Sequence, residues 1–205
     1  MNQLTADNLH LWRGEQHVLR GVQFSLDGGQ CLQVTGANGA GKTTLLRALC
    51  GLVPLEQGRI RWRGQDVDAD REAFHRELGY LGHDNGLKGD LTAAENLGYA
   101  ARLRCRVQPA DIQMALTRVG AGDLAAQRLR HLSAGQRRRV ALARLTLLGG
   151  ALWIMDEPGS NLDVHGQSLV LDILRQHLRR GGAAVVATHQ PLELAASQLR
   201  ELVLQ

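Results

Sequence analysis

The chain has 205 residues, 44% hydrophobic but only 3% aromatic, with a formal net charge of +4. That length holds one large domain or two small ones around an aliphatic core, and the mild basicity fits phosphate ligands and a solvated basic face. Cys31, Cys50 and Cys105 lack C-x-x-C or zinc-ligand spacing, which predicts reduced, mostly buried thiols in a cytosolic setting. Residues 1–7 lack the basic and apolar regions of a signal peptide. One of the longest uncharged apolar stretches, residues 145–155, falls far short of the ~18 residues a membrane helix needs. Work at a membrane therefore requires a partner.

In chain order, Leu4, Leu9 and Leu11 and then Val18, Val22 and Phe24 predict two antiparallel strands, with Trp12 near the turn. Residues 30–35 read as a buried strand and residues 45–50 as a helix. Between them lies Gly36-Ala37-Asn38-Gly39-Ala40-Gly41-Lys42-Thr43-Thr44, the pattern G-x-x-x-x-G-K-[ST] of a phosphate-binding loop. Glycines let several backbone N–H groups point into one concavity, and the following helix aims its positive dipole end there. Lys42 then reaches the β- and γ-phosphates, and the Thr43 hydroxyl coordinates Mg²⁺. The bland alternative is a glycine-rich turn. With Gly at ~7% of average sequences, the pattern arises by chance in about one chain in a hundred, so nucleotide binding is expected.

Residues 59–62 look like a further strand, residues 68–77 like a short charged helix, and residues 78–82 like a short strand ending at His83. A loop over residues 84–90 precedes Thr92 and Glu95, whose spacing predicts a capping box before a helix carrying Leu97, Ala101 and Leu103. Pro109 suits the first position of the next helix, where Ile112, Ala115, Leu116 and Val119 share one face. Strand signals resume at residues 151–155. A helix through Val170, Leu174 and Leu178 follows, then the apolar run 183–187 expected of a parallel strand covered on both faces. Pro191 is expected to open a last helix, and residues 202–204 a final short strand. The alternation predicts an α/β fold with a helical subdomain set into it. The nucleotide-binding core is expected over residues 1–83 and 149–205, and the helical subdomain over residues 84–148.

Three further constellations carry chemistry. The apolar run 151–155 leads into Asp156-Glu157-Pro158. An acid at the end of such a strand holds Mg²⁺, and Glu157, one residue on, is placed to polarise an attacking water as general base. Leu132-Ser133-Ala134-Gly135-Gln136 has capping-box spacing, and the same helix N-terminus is an anion site. Arg137, Arg138 and Arg139 read as a solvated face. His189 follows the 183–187 strand at its carboxyl end, where open α/β sheets bind ligands.

The ordered set of phosphate loop, Leu132–Gln136 segment, Asp156-Glu157, Ser160-Asn161-Leu162-Asp163 and His189 resembles the ATP-binding subunits of ABC transporters. The resemblance covers essentially the whole chain. It implies a P-loop NTPase fold, a RecA-like mixed sheet with N-terminal antiparallel strands and an inserted helical subdomain, and ATP and Mg²⁺ as ligands. It also implies a head-to-tail dimer with a second copy, in which Ser133 and Gly135 serve the other copy's ATP. Glu157 is then the general base, His189 the γ-phosphate switch, and Asp163 part of the loop linking the two sites. Ala134 departs from the family's usual glycine, and His83 stands where a Mg²⁺-contacting glutamine is usual. The adenine-stacking residue aligns with Trp12 or Arg13.

Within that family, residues 81–83, 91–97, 132–145 and 188–192 together look like the ATP-binding subunit of the bacterial cytochrome c maturation system, the haem exporter ATPase. Its implied partners are integral membrane permease subunits, and its place is the cytoplasmic face of the inner membrane. The cargo stays open between haem itself and release of a haem-loaded chaperone. Two competing readings are a non-transport ABC ATPase, such as an assembly or translation factor, and a binding module with negligible turnover. The chain has no second ATP-binding half, no coiled-coil insertion and no arginine-rich tail, so no nucleic acid partner is expected.

Overall fold

A computed structural model describes residues 2–104 and 106–204; Cys105 and its expected burial lie outside the described residues. In chain order the strands are β1 (Asn2–Arg13), β2 (Gln16–Asp27), β3 (Cys31–Gly36), β4 (Gln57–Trp62), β5 (Gln65–Asp66), β6 (Leu78–Leu81), β7 (Leu152–Asp156), β8 (Ala183–Ala187) and β9 (Leu199–Leu204). The α-helices are α1 (Lys42–Leu49), α2 (Arg71–Glu77), α3 (Ala93–Arg102), α4 (Pro109–Arg118), α5 (Ala134–Leu148) and α6 (Val164–Arg179).

Two sheets form. One is four-stranded in the order β2-β1-β4-β5, and its paired strands are antiparallel. The other is five-stranded in the order β6-β7-β8-β3-β9. Within it, β7 with β8, β8 with β3, and β3 with β9 run parallel. Every residue of β7 and β8 is buried, as their unbroken apolar sequences require of strands covered on both faces.

By its contacts the chain divides into two compact units. The first extends to Tyr80, takes in Gly150–Glu157 and resumes at Leu174. Its core is mainly aliphatic, built from Leu4, Leu26, Leu45, Ile60, Ile154 and Val185 among others. The second comprises Leu81–Gly149 and Pro158–Ile173. Sequence boundaries placed the segment Pro158–Ile173 with the α/β core. It clusters instead with the helical unit, because side chains of α5 bind its backbone and its Asp163. Within the helical unit, Thr92 and Glu95 form the expected capping box on α3, and Pro109 opens α4.

Three local expectations are corrected. Helix α2 starts at Arg71, not at residue 68, because Asp70 caps it by accepting the Ala73 N–H, while Asp66 Oδ1 takes the Asp68 N–H in a turn. No helix follows Pro191. There the Gln33 amide accepts the Leu192 N–H and donates to Gln190 O, and Arg175 donates to Glu193 O, so side chains satisfy the backbone groups a helix would have paired. Strand β9 is longer than residues 202–204, because β3 offers it partners from Cys31 to Gly36.

His177 on α6 is buried, stacked on Trp153 at 3.9 Å between ring centroids, and its Nε2–H donates to Ala183 O at 3.0 Å. Burial holds its pKa below the ordinary 6.5. The fold therefore favours the neutral ring, and the stability this contributes is present above pH 6.5 and lost as pH falls below it. Melting temperatures should drop between pH 7.5 and pH 5.5, and His177→Phe should flatten that drop; equal slopes in both proteins would remove His177 as a cause.

Candidate active site

Strands β7, β8 and β3 are neighbours and parallel, so their carboxyl ends open on one edge of the sheet. Ligands bind at that edge in open α/β sheets. The loop after β3 holds residues 37–41, β7 ends in Asp156 with Glu157 next, and His189 lies just beyond β8.

The loop passes close to two strands. A Cβ on Gly36 (φ 145°) would stand 2.6 Å from Leu204 O, and one on Gly41 (φ 95°) 2.6 Å from Val18 Cγ1. Only glycine meets both the positive φ and the close approach. Lys42 is the first residue of α1, and its Nζ donates to Gly36 O at 2.8 Å and Ala37 O at 3.0 Å. The ammonium is thereby folded back over the loop. Thr43 Oγ1 donates to Asp156 Oδ2 at 2.7 Å, and Asp156 is only 3% exposed. A hydroxyl and a carboxylate brought together this way are hard oxygen donors of the kind Mg²⁺ takes beside substrate phosphates, so these residues fit that ion.

Glu157 has φ 46°, a left-handed conformation that costs an L residue roughly 1–2 kcal/mol. Its N–H donates to Ala187 O at 2.8 Å, which pins it beside the end of β8. Its Oε1 lies 3.7 Å from His189 Nε2. That is too long for a hydrogen bond but places carboxylate and imidazole side by side. Residue 189 is presented by a turn in which Thr188 Oγ1 accepts the Gln190 N–H at 3.1 Å. Of Trp12 and Arg13, Trp12 forms an aromatic stack. Its ring lies 3.8 Å from that of His17 with 5° between planes, and His10 stacks at the side. Arg13 is exposed.

In the helical unit, Ser133 Oγ accepts the Gln136 N–H and Gln136 Oε1 accepts the Ser133 N–H, a complete capping box on α5. Ser133 and Ala134 are exposed; Ala134 lies inside the helix and is not among the residues with positive φ, so its methyl brings no backbone strain. Gly135 is required, because a Cβ there would stand 2.6 Å from Asn161 O. Asn161 itself has φ 61°, and Leu162 is buried. Asp163 Oδ1 accepts the Gly166 N–H at 2.9 Å and pairs with Arg139 at 3.1 Å. The Gly166 N–H first, and then the charge of Arg139, hold its carboxyl below the usual range. His83 is exposed in the loop after β6.

The solvated face expected of Arg137, Arg138 and Arg139 is only partly present. Arg137 is exposed, but Arg138 is 1% exposed and is among the largest fully buried side chains. Its helical spacing to Ala141, Leu142 and Leu145, all buried, was the signal that would have found it.

A model of the ABC transporter family matches residues 19–160. The "Cytochrome c biogenesis ATP-binding export protein CcmA" of Dechloromonas aromatica (strain RCB) is 46% identical over 200 residues, covering 97% of this chain and 98% of that protein. The protein of the same description from Escherichia coli (strain K12) is 41% identical over 204 residues, covering 100% of this chain and 97% of the other. Among solved structures, a bacterial Atm1-family ABC exporter with ATP bound superposes with a TM-score of 0.88 at 25% identity, covering 100% of this chain and 37% of that one.

The contact at Gly135 yields a direct test. Gly135→Ala forces a methyl against Asn161 O and is expected to cost about 1–3 kcal/mol, the usual penalty for overpacking. A urea midpoint equal to that of the parent protein would contradict the contact.

Proposed function

The chain belongs to the family of ABC transporter ATP-binding subunits, and from that premise we propose that it hydrolyses ATP to drive the membrane complex of bacterial cytochrome c biogenesis, with haem export as its work. The observation that carries this reading is the gathering of Lys42, Thr43, Asp156, Glu157 and His189 at one edge of a parallel sheet, in a chain 46% identical to a cytochrome c biogenesis export protein. Among the described residues no helix is long and apolar enough to cross a membrane. In this reading separate permease subunits supply the membrane-spanning part, and this chain works against them at the cytoplasmic face of the inner membrane, as the cytochrome c export-protein relatives suggest.

The chemistry follows from the geometry. Lys42 exchanges the carbonyls of Gly36 and Ala37 for β- and γ-phosphate oxygens. Thr43 and Asp156 are the protein oxygens that hold Mg²⁺. Magnesium held there would supply positive charge against the phosphate oxygens. Glu157 takes a proton from the attacking water as its oxygen bonds to the γ-phosphorus and the bond to the ADP oxygen breaks. His189, beside that carboxylate, contacts the γ-phosphate and registers its loss. The Trp12 ring stacks on adenine. Ser133 and Gly135 of a second copy close over the same nucleotide, using the amide groups at the start of α5. Imidazole is a poor ligand for hard Mg²⁺, so His83 is assigned no direct bond to the ion.

Glu157→Gln should leave ATP affinity intact and slow hydrolysis by at least ~10²-fold, the scale of a lost general base. Trapped with ATP and extracted from membranes, that variant should bring down the permease subunits of the cytochrome c system. Unchanged turnover would remove Glu157 from its role, and recovery with RNA or soluble factors alone would overturn the transport reading.

A further inference from the structure

The guanidinium of Arg138 sits inside the helical unit and binds two separate stretches of backbone. Its Nε donates to Pro158 O at 3.1 Å, and its Nη1 donates to Gly82 O at 2.8 Å and to Asn85 Oδ1 at 2.9 Å. Pro158 is one peptide bond beyond Glu157, and Gly82 one before His83. We infer that Arg138 is a positioning residue for hydrolysis, holding the peptide that leaves Pro158, the residue next to Glu157, and the peptide that enters His83 against the helix capped by Ser133. This rests on the ATPase reading given above.

Burial is the first argument. Removing a charged side chain from water is costly even after relaxation, and is tolerated where the geometry fills its donors. At 1% exposure Arg138 meets that cost inside α5, on the same face as Ala141, Leu142 and Leu145. A leucine or methionine would serve simple packing with no such penalty. The planar fork of donors does what they do not: it fixes oxygens from two loops in one plane.

The second argument is how the segment after Glu157 is attached. Arg138 holds the carbonyl of Pro158, Gly135 lies under the carbonyl of Asn161 with no room for a side chain, and Arg139 pairs with Asp163. These contacts make residues 158–163 move with α5. The loop after β6 is attached to the same helix. Besides the two Arg138 contacts, Arg144 donates to Gly86 O at 2.7 Å and to Asn85 O at 2.8 Å. Ser133, which faces another copy's nucleotide in the proposed mechanism, and Pro158, next to the general base, are thus joined through one buried guanidinium. A displacement of α5 is then felt at Glu157, which already sits in a strained conformation. The phosphate loop makes its own contacts through Lys42 and Thr43, so the effect falls on the hydrolytic step and not on ATP affinity.

The test is steady-state ATPase kinetics on the full chain carrying Arg138→Gln, with folding checked by circular dichroism and ATP affinity measured separately with a fluorescent ATP analogue. The amide keeps at most part of the donor fork. The expected result is a kcat lower by at least ~10-fold with KM and analogue affinity within about threefold, as a misplaced catalytic group gives, together with a larger solvent deuterium isotope effect on kcat. A folded Arg138→Gln with kcat within twofold of the parent, or with kcat and affinity lost together, overturns the inference. If that variant does not fold, Asn85→Ala decides at a half-buried position: a several-fold lower kcat at unchanged KM supports the inference, and unchanged kcat overturns it. Glu157→Gln measured alongside separates this inference from the reading beneath it. If Glu157→Gln is inactive while Arg138→Gln is fully active, only the positioning role fails.

Discussion

The hydrogen bond from Thr43 Oγ1 to Asp156 Oδ2, 2.7 Å long, joins the first turn of α1 to the end of β7. Strand β8 lies between β7 and β3 in the sheet, so this contact reaches past the end of an intervening strand. At about 4.8 Å per strand spacing, that fixes the width of the site. Each other group is placed from within this frame. Lys42 precedes Thr43 in the same turn, Glu157 follows Asp156 and is tied to Ala187 O on β8, and residue 189 leaves β8 two positions later. Loss of either the hydroxyl or the carboxylate would free the loop from the strand that leads into Glu157.

The groups gathered at the carboxyl ends of the parallel strands were legible in the sequence because each is tied to a local pattern. The phosphate loop needs glycines where φ is positive and space is short, and Gly36 and Gly41 meet both conditions. Asp156 and Glu157 announce themselves by ending an apolar strand. Ser133 and Gln136 were readable as a capping box, and they form one. The expected α/β fold with helices inserted is present, as are the parallel strands on which the three motifs end.

What was not legible depends on partners far away in the chain. Helical spacing marks the face of Arg138 as buried, but the acceptors that make a charge tolerable there stand at residues 82, 85 and 158, which no local spacing brings together. The helix expected after Pro191 failed for a similar reason. Gln33 and Arg175, distant in sequence, take over the backbone groups of residues 190–193. Proline at a first helical position is permissive and does not by itself start a helix. Glu157 shows a third kind of limit. Its identity could be read, but its left-handed backbone comes from the close pairing of its N–H with β8.

The account's central claim is that this chain holds half of each ATP site and that a second copy supplies the rest. The most direct measurement is the ATPase activity per chain as a function of protein concentration, at saturating ATP and magnesium. The account predicts activity per chain that is low in dilute protein, rises with concentration as copies pair, and then levels off. Activity per chain that stays constant down to the most dilute protein, in a preparation shown by sedimentation to be monomeric there, would contradict it.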